Sequence, residues 1–361
     1  MDYKKFGNTD FYISALGFGA MRLPIAPQSI DFTEAISLMH YALKTGINFF
    51  DIGTFYCHFQ CEKVFGLAIN DQKPAVILSG KNTTHLSDPG NWTAQLKNTL
   101  HLYNREALDF YFIHYLEYKS WEKHFLAEGI IEQVHRARRD GLIRYLGFSS
   151  HDTPGNIIKL IDAGPFDAVI LSYNMLNRTY EDAIQYAYNR GLGVIVMNPL
   201  AGGVLTDSFV DFPRLREYFH ATIPAIALKF AYSNPHVHCV LSGMQTKSEI
   251  DSNIQIEGGE RFSPIDTAFI NEMVAQERDE RLVLCTGCNY CLPCPQGIDI
   301  PKVIGLWNQF NMVKGKNFFQ RDYHMLDVTA DCCIACESCE ERCPNHINIS
   351  VIMHKAGILF A

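Results

Sequence analysis

The sequence predicts an α/β fold: a (β/α)8 TIM barrel followed by a small, helical, cysteine-rich second domain. Three observations lead there. Eight short apolar runs alternate with amphipathic stretches over about 250 residues, the usual size of such a barrel. Ionisable residues stand at the ends of successive runs. Nine of the 12 cysteines fall between Cys285 and Cys343.

In chain order, Tyr3–Phe6 and Phe11–Ile13 flank the turn residues Gly7-Asn8-Thr9-Asp10 and predict a β-hairpin. The eight barrel strands are expected at Ala15–Phe18, Asn48–Ile52, Ala75–Ser79, Phe110–Ile113, Tyr145–Phe148, Ala168–Leu171, Gly193–Met197 and Cys239–Leu241. Each is a short apolar run rich in aromatic or β-branched residues. Between the first two, Thr33–Lys44 places Ala35, Ile36, Leu38, Met39, Ala42 and Leu43 at helical spacing. Asn91–Tyr103, Gly129–Asp140 and Thr179–Asn189 behave the same way. An open doubly wound sheet would carry a glycine-rich phosphate loop after its first strand. Gly17-Phe18-Gly19 lacks the third glycine and the helix start. One more helix runs to about Glu277, and the charged run Gln276–Arg281 marks the domain boundary. Residues 1–278 are therefore assigned to the barrel and 279–361 to the second domain.

With 47% apolar residues the chain can bury a large core. A net charge of -8 gives no electrostatic basis for nucleic-acid binding. No apolar stretch has membrane-span length, and Met1-Asp2-Tyr3-Lys4-Lys5-Phe6-Gly7 lacks a signal-peptide run, so a cytoplasmic protein is expected.

A barrel gathers its functional groups at the C-terminal ends of its strands. Asp51 ends the second, Lys81 follows the third, His114 follows the fourth, and Tyr56 stands on the second loop. Together they make a proton-donor system. A phenol titrates near ~10, too high for an acid at neutral pH, and a neighbouring ammonium favours its ionised form. Asp51 can pair with Lys81 and offset the cost of burying it. His114 can donate to the same substrate oxygen, so donors converge where a carbonyl gains negative charge.

These four residues resemble the catalytic tetrad of the aldo-keto reductases. Gly7-Asn8-Thr9, Leu16-Gly17-Phe18-Gly19, Gly46-Ile47-Asn48-Phe49-Phe50-Asp51 and Ile143-Arg144-Tyr145-Leu146-Gly147-Phe148-Ser149 resemble that family as well, over roughly residues 1 to 275. The resemblance implies NAD(P)H-dependent reduction of a small carbonyl compound, with Tyr56 as acid and NAD(H) or NADP(H) as cofactor. It also implies nucleotide contacts. Ser149 and Ser150 stand where the family holds the nicotinamide carboxamide with Ser-Asn. Ile170 replaces a common Gln, and Met197 an aromatic that stacks on the ring. Gly243, Gln245, Thr246 and Asn253 lie in the loop that grips the adenosine end. There Glu249 stands where NADP-specific members carry an arginine, leaving Lys247 as the nearby cation. Cys57 and Cys61 flank Tyr56 on one loop and read as free thiols, with a redox-sensitive pair as the alternative.

The tail carries Cys285-x2-Cys288-x2-Cys291-x2-Cys294-Pro295 and Cys333-x2-Cys336-x2-Cys339-x3-Cys343-Pro344. The second run has bacterial ferredoxin spacing, in which the fourth cysteine often ligates the other cluster. Cys285, Cys288, Cys291 and Cys343 are therefore assigned to one [4Fe-4S] cluster, and Cys333, Cys336, Cys339 and Cys294 to the other. Zinc ribbons use two C-x-x-C pairs without a third cysteine at the same period. Cys332 is spare, and Pro301 can open a helix between the motifs. The tail resembles a two-cluster ferredoxin, and the combination resembles an aldo-keto reductase subgroup with a C-terminal 4Fe-4S domain. Clusters move single electrons and nicotinamide a hydride, and no flavin motif is present, so either the clusters serve a structural or sensing role, or another centre, such as a partner ferredoxin or flavoprotein, splits the pair. Two alternatives compete: reduction fed by the clusters or a partner flavoprotein without nicotinamide, and a redox-responsive binding module with an idle barrel.

Overall fold

The structure, a computed structural model, describes residues 1–26, 29–71, 76–86, 88–206, 212–257, 260–277, 283, 285, 287–312 and 322–360. Two compact units are present, Met1–Pro199 with Leu228–Ser263, and Leu200–Ala227 with Pro264–Ala361. Ala75, the expected start of the third barrel strand, and the 278/279 boundary lie outside the described residues.

In the first unit a hairpin pairs β1 (Tyr3–Lys5) with β2 (Tyr12–Ser14). The barrel strands are β3 (Leu16–Gly19), β6 (Phe50–Asp51), β7 (Ser79–Asn82), β8 (Leu108–Ile113), β9 (Ile143–Ser149), β10 (Ala168–Ser172), β11 (Gly193–Met197) and β12 (Cys239–Ser242). A short antiparallel pair, β4 (Ile25–Ala26) and β5 (Ser29–Ile30), follows β3. The eight barrel strands are parallel and ordered β6-β3-β12-β11-β10-β9-β8-β7. A parallel bridge between Phe49 and Ile77 joins the two ends, so the ring closes between β6 and β7. Helices Phe32–Lys44, Cys61–Asp71, Trp92–Tyr103, Ile130–Arg139, Pro154–Ala163 and Glu181–Asn189 occupy the crossovers.

The expected strands agree with these to within a few residues, except the third. There the apolar run was read as the strand, whereas ladder pairing begins at Ser79 and carries Lys81 inside β7. Ile77 is buried all the same. Apolarity reports burial, and pairing depends on where the neighbouring strand runs.

Side chains alternate along a strand, so residues two apart share a face. The inward faces of the barrel strands supply Phe49, Ile77, Phe110, Phe112, Ala168, Ile170, Ile195, Cys239 and Leu241, which pack with Phe6 and Ile13 of the hairpin into one buried core. Gly7 makes this plug possible. It has φ +57, and a Cβ there would lie 2.5 Å from the backbone nitrogen of Gly193. His238, just before β12, accepts a 3.0 Å hydrogen bond from the Val194 N–H on Nδ1. Burial, with Lys4 nearby, lowers its pKa to about 4, and the ring is neutral.

The second unit has its own core. Helix Ile300–Met312 packs Val303, Ile304 and Trp307 together with Met353, Ala356 and Phe360 of helix Ile349–Phe360.

Candidate active site

The alternation that builds the barrel core also aims its polar residues. Asp51 follows Phe49 by two positions, Lys81 follows Ile77 and Ser79, and His114 follows Phe110 and Phe112, so all three continue inward faces to the C-terminal mouth. Tyr56 arrives from the loop after β6. Its N–H donates to Gly53 O at 3.0 Å, and its ring lies so close that a Cβ on Gly53 would sit 2.9 Å from it.

The four expected residues meet. Lys81 Nζ donates to Asp51 Oδ2 at 2.9 Å and to Tyr56 Oη at 2.9 Å, and lies 2.7 Å from Asp51 Oδ1 in the same ion pair. The ammonium is thus shared between the Asp51 carboxylate and the Tyr56 phenol. The Tyr56 hydroxyl in turn donates to Asp51 Oδ2 at 3.2 Å. The His114 ring stands edge-on to the Tyr56 ring, with centroids 5.8 Å apart. All four side chains are buried. Burial, and then the positive charge of Lys81, hold His114 well below the usual histidine range, so it meets a ligand as a neutral imidazole.

Several supporting residues carry no motif. Thr54 donates to Lys81 O at 3.1 Å, and Gln95 donates to Thr54 Oγ1 at 2.7 Å while accepting from the Thr83 N–H at 2.9 Å. Behind them Glu62 is buried against the Thr99 hydroxyl at 2.7 Å, and burial raises its pKa. This network fixes the loops on both sides of Lys81. A second feature is invisible to propensity: Cys57, His58 and Phe59 run consecutively through left-handed backbone, with φ 51, 55 and 63. Each costs roughly 1–2 kcal/mol in an L-residue, strain that persists where the surroundings hold it.

The expected nucleotide contacts are mixed. At the end of β12, Thr246 caps helix Lys247–Ile254 by accepting from the Glu249 N–H, and the Glu249 carboxylate accepts from the Gln245 N–H at 2.6 Å. Thr-x-x-Glu is thus a helix-start device, legible in the sequence but not noticed there. Asn253 ties this helix to β12 through Ser242 Oγ at 3.1 Å. The Arg22 side chain lies against Gly243, where a Cβ would come within 3.1 Å of it, adding a cation that sequence reasoning missed. A helix N-terminus with Arg22 and Lys247 nearby fits the anionic end of a nucleotide. The carboxamide end fits less well. Ser149 Oγ accepts from the Tyr115 N–H at 3.0 Å and keeps a donor, whereas Ser150 spends its donor on Leu116 O at 2.6 Å. Ile170 lies in the barrel core, and Met197 packs at its edge.

The cysteine motifs of the second unit share one backbone design. In Cys285-x-Gly287-Cys288-Asn289-x-Cys291, Gly287 and Asn289 have φ 62 and 65. In Cys333-x-Ala335-Cys336-Glu337-x-Cys339, Ala335 and Glu337 have φ 52 and 59. These turns aim the Gly287 and Ala335 N–H groups at the sulfurs of Cys285 and Cys333, at 3.5 and 3.4 Å. Cys294, Cys333, Cys336 and Cys339 line one cavity together with Ile298 and Met353. Burial, then the neighbouring Cys288, Cys285 and Cys343, push the Cys291 thiol up to about 12. Cys294, Cys333, Cys336 and Cys339 thus share one neighbourhood, and Cys285, Cys288, Cys291 and Cys343 another. Among the described residues no three His, Cys, Asp or Glu side chains converge as ligands of a single ion. Arg342 ties the motifs together, donating to the carbonyls of Ser338 at 2.9 Å, Cys291 at 3.2 Å and Leu292 at 3.3 Å.

Comparison with known proteins agrees with this geometry. The Aldo/keto reductase family profile covers residues 15–275.

The chain belongs to the aldo/keto reductase family.

A 4Fe-4S dicluster domain profile covers residues 284–347. L-galactose dehydrogenase of Arabidopsis thaliana is 24% identical over 282 residues, 70% of this chain and 87% of that protein. The uncharacterized oxidoreductase YqkF of Bacillus subtilis is 22% identical over 310 residues, 77% of this chain and 98% of that protein. Among solved structures, the aldo-keto reductase AKR11C1 of Bacillus halodurans (holo form) superposes with a TM-score of 0.65 at 23% identity, covering 76% of this chain and 96% of that one. The protein is an aldo/keto reductase-like oxidoreductase with a 4Fe-4S dicluster domain. Among the described residues no helix is long and apolar enough to cross a membrane.

Breaking the ion pair from one side strands a buried charge. Lys81→Met alone is expected to lose about 3–5 kcal/mol of stability. Adding Asp51→Asn removes the stranded carboxylate and restores part of that. Denaturant unfolding of the two variants checks the pair. Equal stability in both would mean that Asp51 is solvated in solution.

Proposed function

We propose that the barrel reduces a small carbonyl compound, with a nicotinamide nucleotide as hydride donor and Tyr56 as proton donor, and that the second unit holds two [4Fe-4S] clusters. The observation that carries this reading is the buried Lys81 ammonium held by the Asp51 carboxylate and donating to the Tyr56 phenol oxygen. Asp51 holds the ammonium in place, and the ammonium sits on the phenol oxygen, where it stabilises the charge left when the proton departs. At rest the Tyr56 hydroxyl points to Asp51, so it turns to a substrate oxygen to act. Neutral His114 offers a hydrogen bond to that oxygen and adds no charge. A bound nicotinamide supplies the hydride. Glu249, fixed at the start of its helix, disfavours a 2′-phosphate and points to NADH over NADPH.

Cys285, Cys288, Cys291 and Cys343 are the ligands we assign to one cluster, and Cys294, Cys333, Cys336 and Cys339 those of the other. Each cluster supplies one electron at a time. Cys291 and Cys343 are buried and Cys336 is exposed, so a ferredoxin or flavoprotein partner meets the second cluster first. Thiol-ligated clusters suit a reducing compartment, which supports a cytoplasmic location. The domain division we favour remains 1–278 and 279–361.

A second reading has its own support. Ser150 and Ile170 withhold two contacts that a carboxamide would use, which favours reduction fed by the clusters alone. Incubation with 4-deuterated NADH and a panel of small aldehydes separates the two. The first reading predicts deuterium on the carbonyl carbon of the alcohol. Product formed from a chemical reductant without deuterium transfer would favour the second.

Anaerobically purified protein is expected to carry about eight iron and eight labile sulfide per chain. Cys336→Ser lowers the iron content and Cys332→Ser leaves it unchanged. Arg342→Leu also lowers it, although no ligand is altered. Two zinc ions per chain would overturn the assignment.

A further inference from the structure

Two thiols behind Tyr56 are unused by the carbonyl chemistry. Cys57 follows it directly, and Cys61 opens helix Cys61–Asp71. Both are buried, Cys57 keeping 7% exposure and Cys61 none. Both sulfurs address one acceptor, Ala20 O, at 3.3 Å from Cys57 and 3.9 Å from Cys61. The left-handed run Cys57-His58-Phe59 makes this possible by folding the chain back, with the Gln60 N–H donating to Cys57 O at 3.2 Å. The two thiols influence each other: Cys61 lowers the Cys57 pKa, while burial first and then Cys57 raise that of Cys61. Cys57, which keeps the exposure that Cys61 lacks, is thus the nucleophile and Cys61 the resolving thiol.

We propose that Cys57 and Cys61 are a redox-active dithiol that small-molecule disulfides close to an intrachain bond, displacing Tyr56 and switching the barrel site off. The Cys57 thiolate attacks one sulfur of the oxidant and expels a thiolate. Cys61, losing its proton to solvent, then attacks the Cys57 sulfur and expels the second thiolate. The two cysteines give up two electrons and two protons, and the oxidant becomes two thiols. A disulfide requires the sulfurs to close to about 2.05 Å, well inside hydrogen-bonding distance, so the turn between them must shift.

The inactivation half of the proposal rests on the role of Tyr56; the disulfide does not. The holoprotein is treated anaerobically with bis(2-hydroxyethyl) disulfide, alkylated and peptide-mapped, with turnover of an aldehyde followed in parallel. The peptide bearing both cysteines is expected to be two hydrogen masses lighter and unalkylated. Turnover is expected to fall at least tenfold, and dithiothreitol to reverse both changes. Cys57→Ser, or Cys57→Ala should the buried serine disturb folding, keeps basal turnover and resists the oxidant. Two fully alkylated cysteines after treatment would overturn the proposal, and so would a closed disulfide with unchanged turnover. The peptide mass is read without turnover, so the pair is scored even in a protein that reduces no carbonyl.

Discussion

A lysine with 2% exposure inside a barrel is the constraint from which the rest of the site follows. An ammonium taken from water costs several kcal/mol unless it is paired and fully hydrogen-bonded. Here the partners come from across the barrel's closing seam. Below the site, among the described residues, β6 and β7 are joined only by the bridge between Phe49 and Ile77. Above it, side chains take over: Ser79 Oγ donates to Phe50 O at 2.7 Å, Lys81 binds Asp51, and Thr54 returns to Lys81 O. The place where backbone pairing is thinnest is where the polar cluster sits. Closing the ring and building the site are thus one structural event.

Much of this was legible because chemistry and position coincide in the sequence. Asp51, Lys81 and His114 follow recognisable apolar runs, and inward alternation carries each one to the mouth. What stayed hidden has physical reasons. Lys81 lies within β7, since an apolar run says nothing of where a neighbouring strand supplies hydrogen bonds. Cys57 and Phe59 have no preference for left-handed backbone, so nothing in the sequence announces three such residues in a row with His58. Glu249 was weighed for its charge near a nucleotide, and its local task of capping a helix went unnoticed. Gln95 and Glu62 act through contacts made by folding alone.

The second unit shows a repeat longer than its cysteines. Cys294-Pro295-Gln296-Gly297-Ile298-Asp299-Ile300 and Cys343-Pro344-Asn345-His346-Ile347-Asn348-Ile349 run in parallel, and each leads into a helix. Gly297 and His346 both take positive φ, 75 and 49, three residues after their cysteine. The motifs were read as ligand spacings, and this wider similarity was missed because the helices share burial pattern more than identity. Their packing into one core gives each half a hydrophobic face it could not bury alone. Arg342 then ties the two loops together, so the placing of the two cysteine motifs depends on a residue outside the cysteines.

The central claim is that the Lys81-supported phenol of Tyr56 is the proton donor. Tyr56→Phe removes one hydroxyl and leaves the Asp51–Lys81 pair in place. The most direct test compares kcat/KM of this variant and the unaltered protein for the best aldehyde accepted, with melting temperature and iron content matched. The account predicts a loss of about 10²–10⁴ in kcat/KM with fold and iron intact. Undiminished turnover in Tyr56→Phe would contradict it.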